Sequence, residues 1–163
     1  MQPLADWLVT TDLSIFVNRH SWVWPTCETL HVMGLALLIG NVGLLDLRVL
    51  GVEKRLPVAP LNRFVRWAML GFLINLVTGI MFFAGNPAQY IHNIAFGYKI
   101  ALIVFAGLNV LVFYVSGVFR KVEALGPGDD APVLAKCIAA ASLVLWVGVM
   151  YMGRMLPYIG NSF

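Results

Sequence analysis

The stretch CETLHVMGLALLIGNVGLL, residues 27–45, decides how this chain folds. Its apolar side chains run almost unbroken for close to the ~20 residues that cover ~30 Å of hydrocarbon at ~1.5 Å per residue. Three comparable stretches follow at residues 67–84, 100–118 and 133–152, so four spans take up nearly half of the 163 residues. Unpaired backbone amides are too costly in lipid for anything but a helix or a closed barrel, and these runs are continuous rather than alternating. The sequence therefore predicts an all-α integral membrane protein. It reads as one domain over residues 1–163, a four-helix up-down-up-down bundle whose short linkers make consecutive spans antiparallel neighbours.

Composition points the same way: 60% of residues are hydrophobic and 12% charged, where a soluble domain carries roughly 25% charged. Mean hydropathy is +0.84. The net charge of +3 does not indicate a nucleic-acid partner, because the basic residues flank the spans and form no patch interleaved with aromatics. Turn-forming residues punctuate the linkers at 51–60, 85–97 and 125–132, the last containing Gly-Pro-Gly-Asp-Asp.

Lys and Arg fall unevenly on the two sides. Arg48, Lys54, Arg55, Arg63 and Arg66 lie between the first two spans, and Arg120, Lys121 and Lys136 between the last two, against Arg19, Lys99 and Arg154 opposite. By the positive-inside rule the basic linkers are cytoplasmic and both termini periplasmic, in a bacterial inner membrane. Residues 1–16 lack a basic leader, and Asp6 and Asp12 interrupt the apolar run, so the segment 1–24 reads as carrying an interfacial helix rather than a signal peptide. Pro25 would then turn the chain into the membrane. Trp22, Trp24, Tyr90, Tyr98, Tyr151 and Tyr158 mark the outer boundary and Trp67 the inner one. Cys27 and Cys137 fall near opposite boundaries, beyond the ~7 Å Cα limit of a disulfide.

At 100° per residue, Cys27, Glu28, His31, Gly34, Leu35, Leu38, Asn41 and Leu45 share one face of the first span, with Ala36, Gly40 and Gly43 on another. The small residues suit close helix packing within the bundle or between copies. Glu28 and His31, one turn apart, are ionisable groups at the edge of hydrocarbon, which is costly and directs them inward. Lys99, Arg154 and His92 reach the same depth, so Glu28, His31, His92, Lys99 and Arg154 form a candidate cofactor site. One reading is structural: Glu28 pairs with Lys99 or Arg154, His31 bonds to either, and the bundle mouth is locked. The other places haem b or copper on His31, with His92 or a thioether from Met33, Met81, Met150, Met152 or Met155 as second ligand. With three histidines in all, a two-haem wire cannot be built, and no Cys-x-x-Cys-His attachment site exists. Asn41, Asn75 and Asn109 could hydrogen-bond across helices, and Asp46 and Arg48 are expected to pair with inner-loop charges.

The pattern W-x-x-P-x-x-E-x-x-H-x-x-G-x-A-L-L-x-G from Trp22 to Gly40, followed by Leu45-Asp46-Leu47-Arg48 with Gly51 and by Asn93-x-x-Phe96-x-x-Lys99 with Asn109, resembles a family of bacterial inner-membrane proteins known as a domain of unknown function. The chain is also similar to the four-helix cores of the copper-resistance protein D family and of cytochrome b561-type proteins. In these a histidine early in a span meets a cofactor or metal, within fuller histidine sets. The resemblance implies the fold and the location. Lacking a nucleophile with its base, a phosphate-cradling loop or paired catalytic carboxylates, the chain is not expected to be an enzyme on its own. The expected function is haem b- or copper-linked electron transfer or metal handling, within the lipid bilayer and in a homo-oligomer or membrane redox complex. The alternative is a cofactor-free structural or anchor subunit of a larger complex.

Overall fold

The computed structural model describes residues 2–58 and 62–159. Helices make up nearly all of it: α1 (Gln2–Val9), α2 (Asp12–Arg19), α3 (Val23–Leu50), α4 (Asn62–Gly85), α5 (Pro87–Ile91), α6 (Ile94–Val115), α7 (Val118–Glu123) and α8 (Val133–Met155). Four of them, α3, α4, α6 and α8, are long and apolar enough to cross a membrane. The chain is an all-α, multi-pass membrane protein, as its apolar runs require.

Where helices stop is set by caps rather than by the ends of the apolar runs. α3 continues past Leu45 to Gly51, whose positive φ of 95° lets its N–H reach the carbonyls of Leu47 and Arg48. α6 begins earlier than its apolar run because the Asn93 side-chain oxygen accepts from the N–H groups of Ala95 and Phe96. It ends at Val115 instead of 118, since Gly117, at φ 71°, diverts the chain into the short α7. The expected single interfacial helix is two: the Thr10 and Thr11 hydroxyls bond to the carbonyls of Trp7 and Leu8, and Thr11 then caps α2 by accepting from the Ser14 N–H. Pro25 sits inside the first turn of α3, where a missing N–H costs nothing.

The spans pack as two antiparallel hairpins, α3 with α4 and α6 with α8, joined by α3 against α8. Among the described residues α4 and α6 barely touch; a stacked Phe83–Phe96 pair, centroids 5.7 Å apart, is their link near one end. The α3–α4 crossing is the closest, because Gly34 and Gly71 let backbone meet backbone. In the middle Leu38, Ala68, Ala106, Trp146 and Val149 fill the core. At the end that gathers α1, α2 and α5, called the terminal end below, Val17 of α2 closes over Val23 and Cys27. At the other, basic-loop end, Val49, Val58, Val118 and Val122 pack around Ala135. Val104, Phe105, Leu108 and Leu111 of α6 are exposed, as lipid-facing side chains should be. Ala36 and Gly40 are exposed too, with nothing within 4 Å of a Cβ at 40.

Several polar expectations are corrected by this packing. Asn41 and Asn75 donate to the carbonyls of Leu37 and Gly71 in their own helices, and Asn109 alone of the three reaches across, to the Ile138 carbonyl at 3.0 Å. Arg48 does not pair with a loop carboxylate. Only 2% exposed, its guanidinium donates to the backbone carbonyls of Leu56, Gly126 and Asp129, stitching the loops at 51–58 and 124–132 together. Asp46 hydrogen-bonds to Ser142 of α8 and leaves Oδ2 without a partner. The loop ion pairs instead centre on Asp130, held by Lys54 at 3.0 Å and Lys136 at 2.8 Å.

Candidate functional site

His31 is positioned by the α3–α4 interface. Its Nδ1 lies 2.7 Å from Oγ1 of Thr78, which is itself buried on α4. The Thr78 hydroxyl donates to the Ile74 carbonyl at 2.8 Å, as residues one turn on in a helix do. With that proton committed, Oγ1 accepts from Nδ1–H, and the tautomer inferred from this chain of bonds leaves the Nε2 lone pair free. Phe82 lies edge-on to the imidazole at 5.5 Å, and Trp24 packs in turn against Phe82.

One turn closer to the terminal end, Cys27 meets α4 again. Its Sγ is 3.5 Å from Sδ of Met81, and the cysteine is 4% exposed. Cys27 and His31 are four residues apart on α3, and Thr78 and Met81 three apart on α4, so sulfur pair and imidazole rung are adjacent on one seam. Both cysteines are free thiols.

Lys99 approaches from α6, its Nζ 3.6 Å from where a Cβ would stand on Gly153, so the missing side chain on α8 makes room for the ammonium. Glu28 is exposed at the rim. Its negative charge adds to burial in raising the Tyr90 phenol above its ordinary value, and Tyr90 packs edge-on against Phe96 at 5.2 Å.

Of the five residues singled out from sequence, His31 lies at the α3–α4 interface, Lys99 against Gly153 of α8, and Glu28 is exposed on the first turns of α3. His92 caps the end of α5 and is exposed, as is Arg154, and among the described residues neither is hydrogen-bonded to His31. Among the described residues Glu28 forms no ion pair with Lys99 or Arg154, and His31 bonds to Thr78 rather than to either cation. Sequence reasoning passed over Thr78 and Phe82 and read Tyr90 as a boundary aromatic alone. A hydroxyl in an otherwise apolar run was the one signal available for Thr78.

Among the described residues no three His, Cys, Asp or Glu side chains converge, so a metal here would need a thioether. A haem here would be held by His31, the other two histidines, His20 and His92, standing at the C-caps of α2 and α5. The Cys27 and Met81 sulfurs, 3.5 Å apart, are soft donors one helical turn from His31.

The chain belongs to a family of unknown function, DUF6644, whose profile matches residues 4–161. No curated protein and no solved structure matches it. The likeness to a domain-of-unknown-function family is thereby shown, and nothing supports the likeness to copper-resistance or cytochrome b561-type bundles.

Proposed function

We propose that this DUF6644 protein handles copper at the terminal end of its bundle, through Cys27, His31 and Met81, in a bacterial inner membrane with that end facing the periplasm. The observation that carries the reading is the Thr78 contact, which leaves the Nε2 of His31 free one turn from a thiol–thioether pair. Imidazoles that bind metals usually give their other N–H to such a partner, which fixes the ring. A thiolate and a thioether are soft donors that select Cu(I), and the four-residue spacing of Cys27 and His31 is one at which two side chains of a helix share an ion.

When bound, copper would supply one-electron redox chemistry or simple transfer of the ion. The protein's part is to hold three unlike donors on two helices that cross without freedom to slide. Cys27 as a thiolate would neutralise Cu(I). Glu28, exposed at the rim, offers a cation its first carboxylate. Side chains of Trp24, Phe82 and Val17 keep water from the sulfurs.

Titration of the reduced, detergent-purified protein with Cu(I) against a chromophoric chelator tests this. One ion per chain is expected, with C27S, H31A and M81L each weakening it at least ~10-fold. Absence of copper binding, or binding indifferent to all three substitutions, ends the proposal. An absorption spectrum with a Soret band lost in H31A would point to haem instead, and no ligand of either kind would leave a structural subunit.

A further inference from the structure

The cations at the basic-loop end divide into two groups. Arg48 is consumed by backbone carbonyls, and Lys54 and Lys136 by Asp130. Arg63 and Arg66 are exposed and make no hydrogen bond or ion pair with any described residue. They stand three residues apart on α4, where like charges repel. With Trp67 and Leu70 they line a shallow, open groove along the start of α4.

The groove has a polar head and an apolar tail. Trp67 and Leu70 follow Arg63 by four and seven residues, so all lie on one helical face, and the exposed Leu73 and Val77 prolong that face toward the bundle's middle. Two guanidiniums at the interface suit the paired oxygens of a phosphodiester. A tryptophan at headgroup depth and a lipid-facing apolar strip suit the glycerol region and an acyl chain.

We propose that this groove is a binding site for an acidic phospholipid: its phosphate on Arg63 and Arg66, its glycerol beside Trp67 and a chain along Leu70, Leu73 and Val77. The charge pattern and the strip below it choose a lipid over a free anion, since inorganic phosphate would use the arginines alone. The site is independent of the copper reading, which concerns the opposite end.

Native mass spectrometry of the full chain, titrated with phosphatidylglycerol, phosphatidylcholine or inorganic phosphate, tests it. Phosphatidylglycerol should be retained best, and R63Q/R66Q should bind it roughly 30-fold more weakly, at ~1 kcal/mol per basic residue near an anionic surface. The exposed cations of α7 provide the control: R120Q/K121Q should bind it like the wild type. R63Q and R66Q singly should each show about 5-fold weakening by the same constant, so the proposal stays testable if the double variant does not fold. Equal retention of phosphatidylglycerol by wild type and R63Q/R66Q, or of phosphatidylcholine and phosphatidylglycerol by the wild type, overturns it. So does displacement by inorganic phosphate at equal concentration, which would make the site one for a free anion.

Discussion

Replacing Gly71 with alanine places one methyl group into the tightest point of the bundle. Its carbon would stand 2.5 Å from the carbonyl oxygen of Gly34, 2.7 Å from the amide nitrogen of Leu38 and 3.0 Å from Cβ of Leu37. Contacting atoms normally keep ~3.5 Å or more, and two of these three are backbone atoms of a helix, which no rotamer change can move. The helices must part by about 1 Å. Overpacking of this kind costs ~1–3 kcal/mol, while alanine in a helix interior returns up to ~1 kcal/mol over glycine. Gly79, on the same helix with nothing within 4 Å of a Cβ, isolates the second effect. Subtracting one variant from the other, G71A should be less stable than G79A by ~1–3 kcal/mol. Thermal or denaturant unfolding in one detergent gives the comparison. Thr78 lies two turns along α4 from Gly71, so the same parting should lengthen the 2.7 Å contact to His31. A G71A protein as stable as G79A would refute the packing argument and, with it, the rigidity claimed for the α3–α4 seam.

Thr78→Val keeps the shape but removes the acceptor for His31; Cu(I) affinity should fall ~10–100-fold in the chelator competition, with the helical circular dichroism unchanged. Arg48→Ala frees three loop carbonyls and should destabilise by at least ~2 kcal/mol, read as a lower unfolding midpoint and faster tryptic cleavage at Lys54 and Arg55. Hydrogen bonds from Lys136 and then Lys54 hold the Asp130 carboxyl down at about 2, against 3.8 ordinarily. The pair's contribution is therefore complete above the ordinary value and lost as pH falls toward 2. Wild type should lose a small increment of stability in that window that D130N lacks, and added salt should shrink it, since the group is fully exposed.

The spans were legible because apolar length is a property of sequence alone. The wheel of the first span also placed Cys27, Gly34 and Leu38 correctly on the buried face. What α3 meets was not legible. α4 is apolar over most of its surface, and beyond the Thr78 hydroxyl little in its sequence says that Thr78 and Met81, rather than Val77 and Ile80, turn toward His31 and Cys27. That rotation is set by Gly71, whose role emerges only when paired with Gly34 on another helix. Arg48 misled because a buried arginine suggests a carboxylate, whereas loop carbonyls at the right distance serve as well. Asn93 was legible as a motif residue; its work, capping α6 while donating to the Leu156 carbonyl at 2.8 Å, needed the fold.

The pairing of spans has a bearing on biosynthesis. His31, Thr78, Cys27 and Met81 all belong to the first hairpin, so their rung exists once residue 85 has entered the bilayer, whereas Lys99 and Gly153 arrive with the second. α3 meets α8 across nearly the whole length of the chain. If the first hairpin inserts ahead of the second, the sulfur–imidazole seam forms before α8 docks on α3. Any metal loading that requires access from the side is easiest during that interval.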